Sequence, residues 1–303
     1  MKQKDLIFSL KEKPEEVVAR DEKRYRDGVA AAAARVKDTG ARFVFLAGPS
    51  CSGKTTTSFS LVTSLRALGL RVMAFSTDDF FFDEAHAGRF EDGTPDYDAF
   101  SHTDSDYIRR VLQSLAKGEK AVLPTFDFLR GRRADETIAI DPAKADVFIL
   151  EGIHALNDRL LSALPETEEK VCLYLNTTRG VRMEGEAEGF TPREVRLCRR
   201  IIRDHKHRGA DAERSFGLWV HVIESEGEIL EPFKKNAQIV LSTDFSYEPA
   251  VAREEVTSRL ESVPVTSRWY PEARALIKKF EPFPNLREEV VPRDSVLQEF
   301  LAD

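Results

Sequence analysis

The chain has 303 residues, 52 acidic against 45 basic side chains, a formal net charge of −7 and 42% hydrophobic residues. That composition excludes wholesale disorder and allows a sizeable core. The net acidity argues against a protein built to coat nucleic acid, although a local basic patch can still hold a small anion. The longest apolar runs, such as residues 29–34 and 147–150, fall far short of the ~20 residues that span a bilayer. The start MKQKDLIFSLKEKPEE lacks a secretory pattern. Cys51, Cys172 and Cys198 are widely spaced, so neither a disulfide framework nor a zinc site is expected. The expected localisation is cytoplasmic, with no membrane or nucleic-acid partner.

Residues 14–39 read as a helix. Pro14 suits its first turn, Val17, Val18, Tyr25, Val29 and Val36 follow a helical stripe, and Gly40 is a natural stop. Residues 42–47 (RFVFLA) are a nearly continuous apolar run, as in a parallel strand buried on both faces. A glycine loop and a helix of about 14 residues follow, closed by Gly69, and then a second strand over 71–76. Residues 77–103 are acidic and aromatic without clear periodicity. A helix is predicted over 104–117, a hairpin with the basic tip RGRR over 121–140, and strands over 146–150, 170–175 and 238–241. A helix over 191–207 opens on a capping box, with Thr191 as cap, Pro192 in the first turn and Glu194 as partner. The rest of the chain, from 242 to 303, is expected to be helical with proline punctuation. The alternation implies an α/β fold with a doubly wound, mostly parallel sheet and helices on both faces.

Gly48, Pro49, Ser50, Cys51, Ser52, Gly53, Lys54 and Thr55 fit G-x-x-x-x-G-K-[ST], between an apolar strand and an apolar helix. Glycines let the backbone amides face a β-phosphate, and the helix N-terminus adds partial positive charge. Lys54 is the expected cation for the β- and γ-phosphates, and Thr55 the Mg²⁺ ligand. Thr56 completes the nucleoside-triphosphate site. Asp78 and Asp79 after the second strand, and Glu151 after the strand over 146–150, lie at strand ends that face a ligand in a parallel sheet. Asp78 and Glu151 are therefore candidate metal partners, with a catalytic role also open to Asp78.

Phe80, Phe81, Phe82, Tyr97, Phe100, Phe126 and Phe128 interleave with acids between core strands, which is material for an acceptor pocket. Most of these rings are expected to pack a subdomain core. Arg196, Arg199, Arg200 and Arg203 share one helix face, with Arg208 just beyond, and could close over polyphosphate. The six histidines show no metal-ligand spacing.

In order, GPSCSGKTT, STDDFF, PDYDAF, LPTFDF, ILEGIHALN and RLCRRIIRDHKHRG, together spanning roughly residues 41–245, resemble the uridine kinase/phosphoribulokinase family of P-loop kinases. The likeness is closest to the kinase portion of long bacterial uridine kinase-like nucleoside kinases, without their module similar to the N-terminal region of threonyl-tRNA synthetase. The resemblance implies an N-terminal helical extension over 1–40 and a P-loop kinase domain over 41–248, with an acceptor-binding insertion near 78–140 and a helical lid near 191–210. A helical C-terminal extension over 249–303 completes the layout. It implies Mg²⁺-dependent transfer of the γ-phosphoryl group of ATP or GTP to the 5′-hydroxyl of a ribonucleoside. By the same resemblance Asp78 is general base and metal partner, Asp98 holds ribose hydroxyls, Glu151 is metal-associated, and Phe126 lines the acceptor pocket. Arg196 and Arg199 are substrate- and lid-side arginines, with Arg199 and Arg203 assisting transfer beside Lys54. Uridine–cytidine kinases carry a Tyr and a His in P-x-Y-D-x-x-x-H, where this chain has Phe126 and Gly131. Other acceptors therefore stay open: a sugar phosphate, for which RGRR offers cations, or a pantothenate-like alcohol. A catalytically slow nucleotide-binding regulator is the remaining reading. A homo-oligomer is compatible with all of them.

Overall fold

The computed structural model describes residues 3–128, 130–181 and 189–301. In chain order the elements are α1 (Gln3–Glu12), α2 (Pro14–Thr39), β1 (Phe43–Ala47), α3 (Lys54–Ala67), β2 (Val72–Ser76), β3 (Gly88–Arg89), β4 (Pro95–Asp96), α4 (Ser105–Ala116), β5 (Ala121–Asp127) and β6 (Arg132–Ile140). They continue with β7 (Val147–Glu151), α5 (Asp158–Leu161), β8 (Lys170–Asn176), α6 (Pro192–Arg208), α7 (Ala212–Ile229), β9 (Ile239–Ser242), α8 (Glu248–Glu261), α9 (Tyr270–Phe280) and α10 (Gln298–Leu301). The strands expected from 42 and 71 each start one residue later. Helices α1 and α7 were not anticipated.

Strands β2, β7, β1, β8 and β9 form one sheet in that order, every neighbouring pair parallel. All five residues of β1 and of β7 are buried, which is why both read as unbroken apolar runs. Alternate side chains of β1 feed two cores. Val44 and Leu46 join α2, α3, α6 and the C-terminal helices. Phe43, Phe45 and Ala47 join α4 and α5. No described helix is long and apolar enough to cross a membrane.

The segments flanking the sheet share its core. Val17, Val29 and Val36 of α2, and Val296 and Phe300 near the C-terminus, lie in the same cluster as Val44 and Leu46. A buried carboxylate ties them together: Glu22 accepts from the hydroxyls of Tyr247 and Ser295, both at 2.5 Å. Burial holds that carboxyl above its ordinary range, against the two hydroxyl donors.

Candidate active site

The glycine loop joins β1 to α3. Gly53 caps α3 in the left-handed region, at φ +87, a conformation that glycine adopts without strain. A side chain there would also collide with Val296 from the C-terminal segment. Cys51 holds φ +59 in the same loop, a strained geometry for a residue with a Cβ. Lys54 Nζ bridges the loop to the Pro49 carbonyl at 3.2 Å.

The strand-end acids converge on the loop. Thr55 Oγ1 donates to Glu151 Oε1 at 3.5 Å. The Asp78 carboxylate accepts from Thr77 Oγ1 at 3.1 Å. Lys54, Thr55, Asp78 and Glu151 line one cavity of about 840 Å³. Burial, then the neighbouring Asp78 charge, pushes the Glu151 carboxyl up to about 7, with Lys54 opposing. Two carboxylates and a hydroxyl form an all-oxygen set, the chemistry that a hard divalent cation such as Mg²⁺ requires. The buried Glu151 and the half-buried Asp78 repel each other, and such an ion would relieve that negative field, so the residues fit it. Asp79 turns away from this cluster, with its carboxylate against the backbone of Ser76 and Phe126, and burial raises it.

The arginine face of α6 points inward, not to solvent. Arg196 makes a bidentate pair with Glu226 (2.5 and 2.8 Å), donates to the Ser50 carbonyl and lies over the Trp219 ring. Arg199, 1% exposed, pairs with Glu248 (2.6 and 2.7 Å) and donates to the carbonyls of Cys51 and Thr243. These two arginines therefore stand behind the loop, holding its carbonyls. Arg200 and Arg203 stand on the cavity wall, both anchored by the buried Asp204. The Arg208 side chain lies outside the described residues.

Beyond Asp78 the cavity continues into the 78–140 insertion. Asp98 lines it, half-buried, with its carboxyl raised by burial and stabilised by Arg200. Phe81, Tyr97, Phe126 and Phe128 also face the cavity, while Phe80 and Phe100 pack the lower core and Phe82 lies under Arg133. Four of the seven aromatics thus line the cavity, more than expected, because Phe81, Phe126 and Phe128 form one edge-to-face row. The insertion closes onto α7, where Phe90 stacks on His221 at 4.0 Å and Asp92 meets His221 Nε2 at 2.8 Å. His154, 1% exposed beneath the Phe100 edge, is kept neutral by burial, with its pKa lowered to about 4.

The basic hairpin tip does not reach this space. Arg133 is spent on the carbonyls of Phe80 and Phe81 and on Asp104, and Arg130 on Asp127. Of the RGRR segment only Gly131 lines the cavity.

Asp96, Asp204, Glu84 and Glu299 line the cavity as well and were not anticipated. Glu299 of α10 accepts from the backbone N–H (3.3 Å) and hydroxyl (2.8 Å) of Thr56, at the start of α3. Glu84 lines the same cavity. Neither Glu84 nor Glu299 belongs to a motif of its own, and both reach the site through tertiary packing.

A parallel sheet ordered β2-β7-β1-β8-β9, with a G-x-x-x-x-G-K-T loop leaving its central strand and acids at the ends of β2 and β7, defines a P-loop nucleotide-binding fold. A putative fructose transport system kinase from Silicibacter sp. TM1040 has the same fold, at TM-score 0.50 and 18% identity, over 70% of this chain and 98% of that one. Residues 43–184 match the sequence profile of the Phosphoribulokinase / Uridine kinase family. A uridine kinase of Staphylococcus epidermidis is 29% identical over 219 residues, 72% of this chain and 94% of that protein. A uridine kinase of Staphylococcus aureus (strain Newman) is 27% identical over the same shares. Residues 43–184 of this chain are thus similar in sequence to the phosphoribulokinase/uridine kinase family.

Proposed function

We propose that this protein is an ATP-dependent kinase, with GTP as the alternative donor, that phosphorylates the 5′-hydroxyl of a ribonucleoside. The observation that carries the reading is one continuous cavity. It runs from Lys54 and Thr55, past Asp78, to Asp98 and an aromatic-walled end, so donor and acceptor can meet in line.

Thr55, Asp78 and Glu151 would hold Mg²⁺, which supplies counter-charge to the β- and γ-phosphate oxygens. Lys54 leaves the Pro49 carbonyl to reach the polyphosphate. Asp78 orients the acceptor hydroxyl and takes its proton. Arg200 and Arg203, on the cavity wall, stabilise charge on the transferring group. Arg196 and Arg199 are positioning residues in this reading. By holding the carbonyls of Ser50 and Cys51 outward, they leave the loop amides for phosphate. Asp98 accepts from the ribose hydroxyls, and Phe126 with Phe81 flanks the base. The phosphate loop, the insertion and the α6 lid form the kinase domain over 41–248, with 1–40 and 249–303 as helical extensions that buttress it.

The sugar-phosphate alternative loses its motivating feature, since the RGRR guanidiniums point elsewhere. The test is acceptor-dependent ADP release. Asp98→Ala should raise KM for a ribonucleoside, with a smaller effect on kcat, and an unchanged KM would remove Asp98 from the ribose.

A further inference from the structure

The acceptor end of the cavity carries a carboxylate with no part in the transfer described above. Glu84 Oε1 accepts from the Tyr97 hydroxyl at 2.6 Å. Its backbone N–H donates to the Gly131 carbonyl at 2.7 Å, which ties the turn after β2 to the hairpin tip. Gly131 sits at φ +61, and a Cβ there would stand 2.5 Å from Glu84 Oε2 and 3.1 Å from Glu84 Cβ. The side chain missing at 131 is therefore the space that Glu84 occupies. Among the described residues only Tyr97 donates to this carboxylate.

Glu84 is exposed and stands at the rim of the cavity's aromatic cluster. Phe81 packs edge-on to Phe126 (5.7 Å) and stacks on His102 (5.0 Å). Tyr97 meets the same histidine at 5.9 Å. His102 is kept neutral by burial and feels both Asp96 and Glu84. Asp98, in contrast, feels Asp78 and Lys54. Glu84 thus lies away from the reacting end. Arg89 and Arg214 both act on Tyr97, and among the described residues neither forms an ion pair with Glu84.

We propose that Glu84 reads the far edge of the acceptor, and that it selects a ribonucleoside presenting an amino group there over one presenting a carbonyl. The inference rests on the ribonucleoside reading above. A carboxylate oxygen accepts and never donates. An exocyclic amine meets it in a charge-assisted hydrogen bond. A carbonyl meets it acceptor to acceptor, so neither group recovers the hydrogen bond to water that it gives up. Sites built on such a bond reject the mismatched analogue strongly.

Cytidine and uridine differ at that edge, amine against carbonyl, and are the probes. Their Kd values, by titration calorimetry, and their kcat/KM values for ADP release with Mg·ATP are compared in wild type and Glu84→Gln. Wild type should favour cytidine by ~10-fold or more, the order of a charged hydrogen bond. Glu84→Gln, whose amide both donates and accepts, should bring the two within about 3-fold. The ratio is the readout, because a variant that only loosens the turn weakens both nucleosides alike. Uridine bound as well as cytidine by wild type, an unchanged ratio in Glu84→Gln, or binding of neither nucleoside overturns the proposal. Cytidine-selective binding without ADP release upholds the role of Glu84 and refutes the transfer reading instead.

Discussion

Replacing Glu151 by glutamine should stabilise the nucleotide-free protein, and increasingly so as pH rises. Glu151 is 8% exposed and faces Asp78, so burial and like charge raise its carboxyl from 4.5 to about 7. A carboxyl raised on folding contributes stability that is fully present below the unfolded value and lost as pH climbs through the folded one. The loss therefore falls between 4.5 and about 7. At about 1.4 kcal/mol per tenfold change in protonation equilibrium, it reaches about 3 kcal/mol above that window. Glutamine does not titrate and escapes the loss. Urea unfolding of both proteins, with chelator present, gives the stability difference at about pH 5 and about pH 8.5; part of the loss is already present at the lower pH, so the variant's advantage should grow by about 2.5 kcal/mol between them. Taking the difference between the two proteins cancels the other titrating groups. A pH-independent difference, or one that shrinks as pH rises, would refute the reasoning. Mg·nucleotide should reverse the order, because only wild type keeps the carboxylate proposed to hold the metal.

Arg196→Ala should lower stability by about 3–5 kcal/mol in urea unfolding, because it strands the buried Glu226. Arg203→Ala should instead lower kcat by ~10-fold or more with a smaller stability loss, since Arg200 still pairs with Asp204; equal stability losses would erase the distinction between loop support and cavity wall. Glu299→Gln should tighten ATP binding about 5-fold in a calorimetric titration, the order of 1 kcal/mol for a charge at a helix N-terminus, because the carboxylate on Thr56 repels phosphate. An unchanged Kd would mean that Glu299 swings clear without cost.

Much of this architecture was legible because local signals agreed with the fold. Pro14 and Gly40 bound α2 as read, and its C-cap glycine is left-handed. Thr191 and Glu194 make the capping box that their spacing promised. β1 and β7 were visible because strands buried on both faces must be apolar throughout. α7 was missed although Phe216, Trp219 and Val222 recur at helical spacing among its buried residues. Its glycines at 217 and 227 and its many charges obscured the stripe.

At the site, the loop and strand-end acids were readable because their spacing is set by one strand–loop–helix unit. The direction of the arginine face was not. Periodicity places Arg196, Arg199, Arg200 and Arg203 together, but Glu226 and Glu248, which claim two of them, lie 30 and 49 residues away. Glu84 and Glu299 were beyond reach for the same reason.

The most direct test is ADP release with Mg·ATP across ribonucleosides, deoxynucleosides and sugar phosphates, with Lys54→Ala and Asp78→Asn beside wild type. Release that depends on a ribonucleoside and falls at least ~10²-fold in both variants is the predicted result. Near-wild-type release in either variant, or tight nucleotide binding with no acceptor-dependent release, would contradict it.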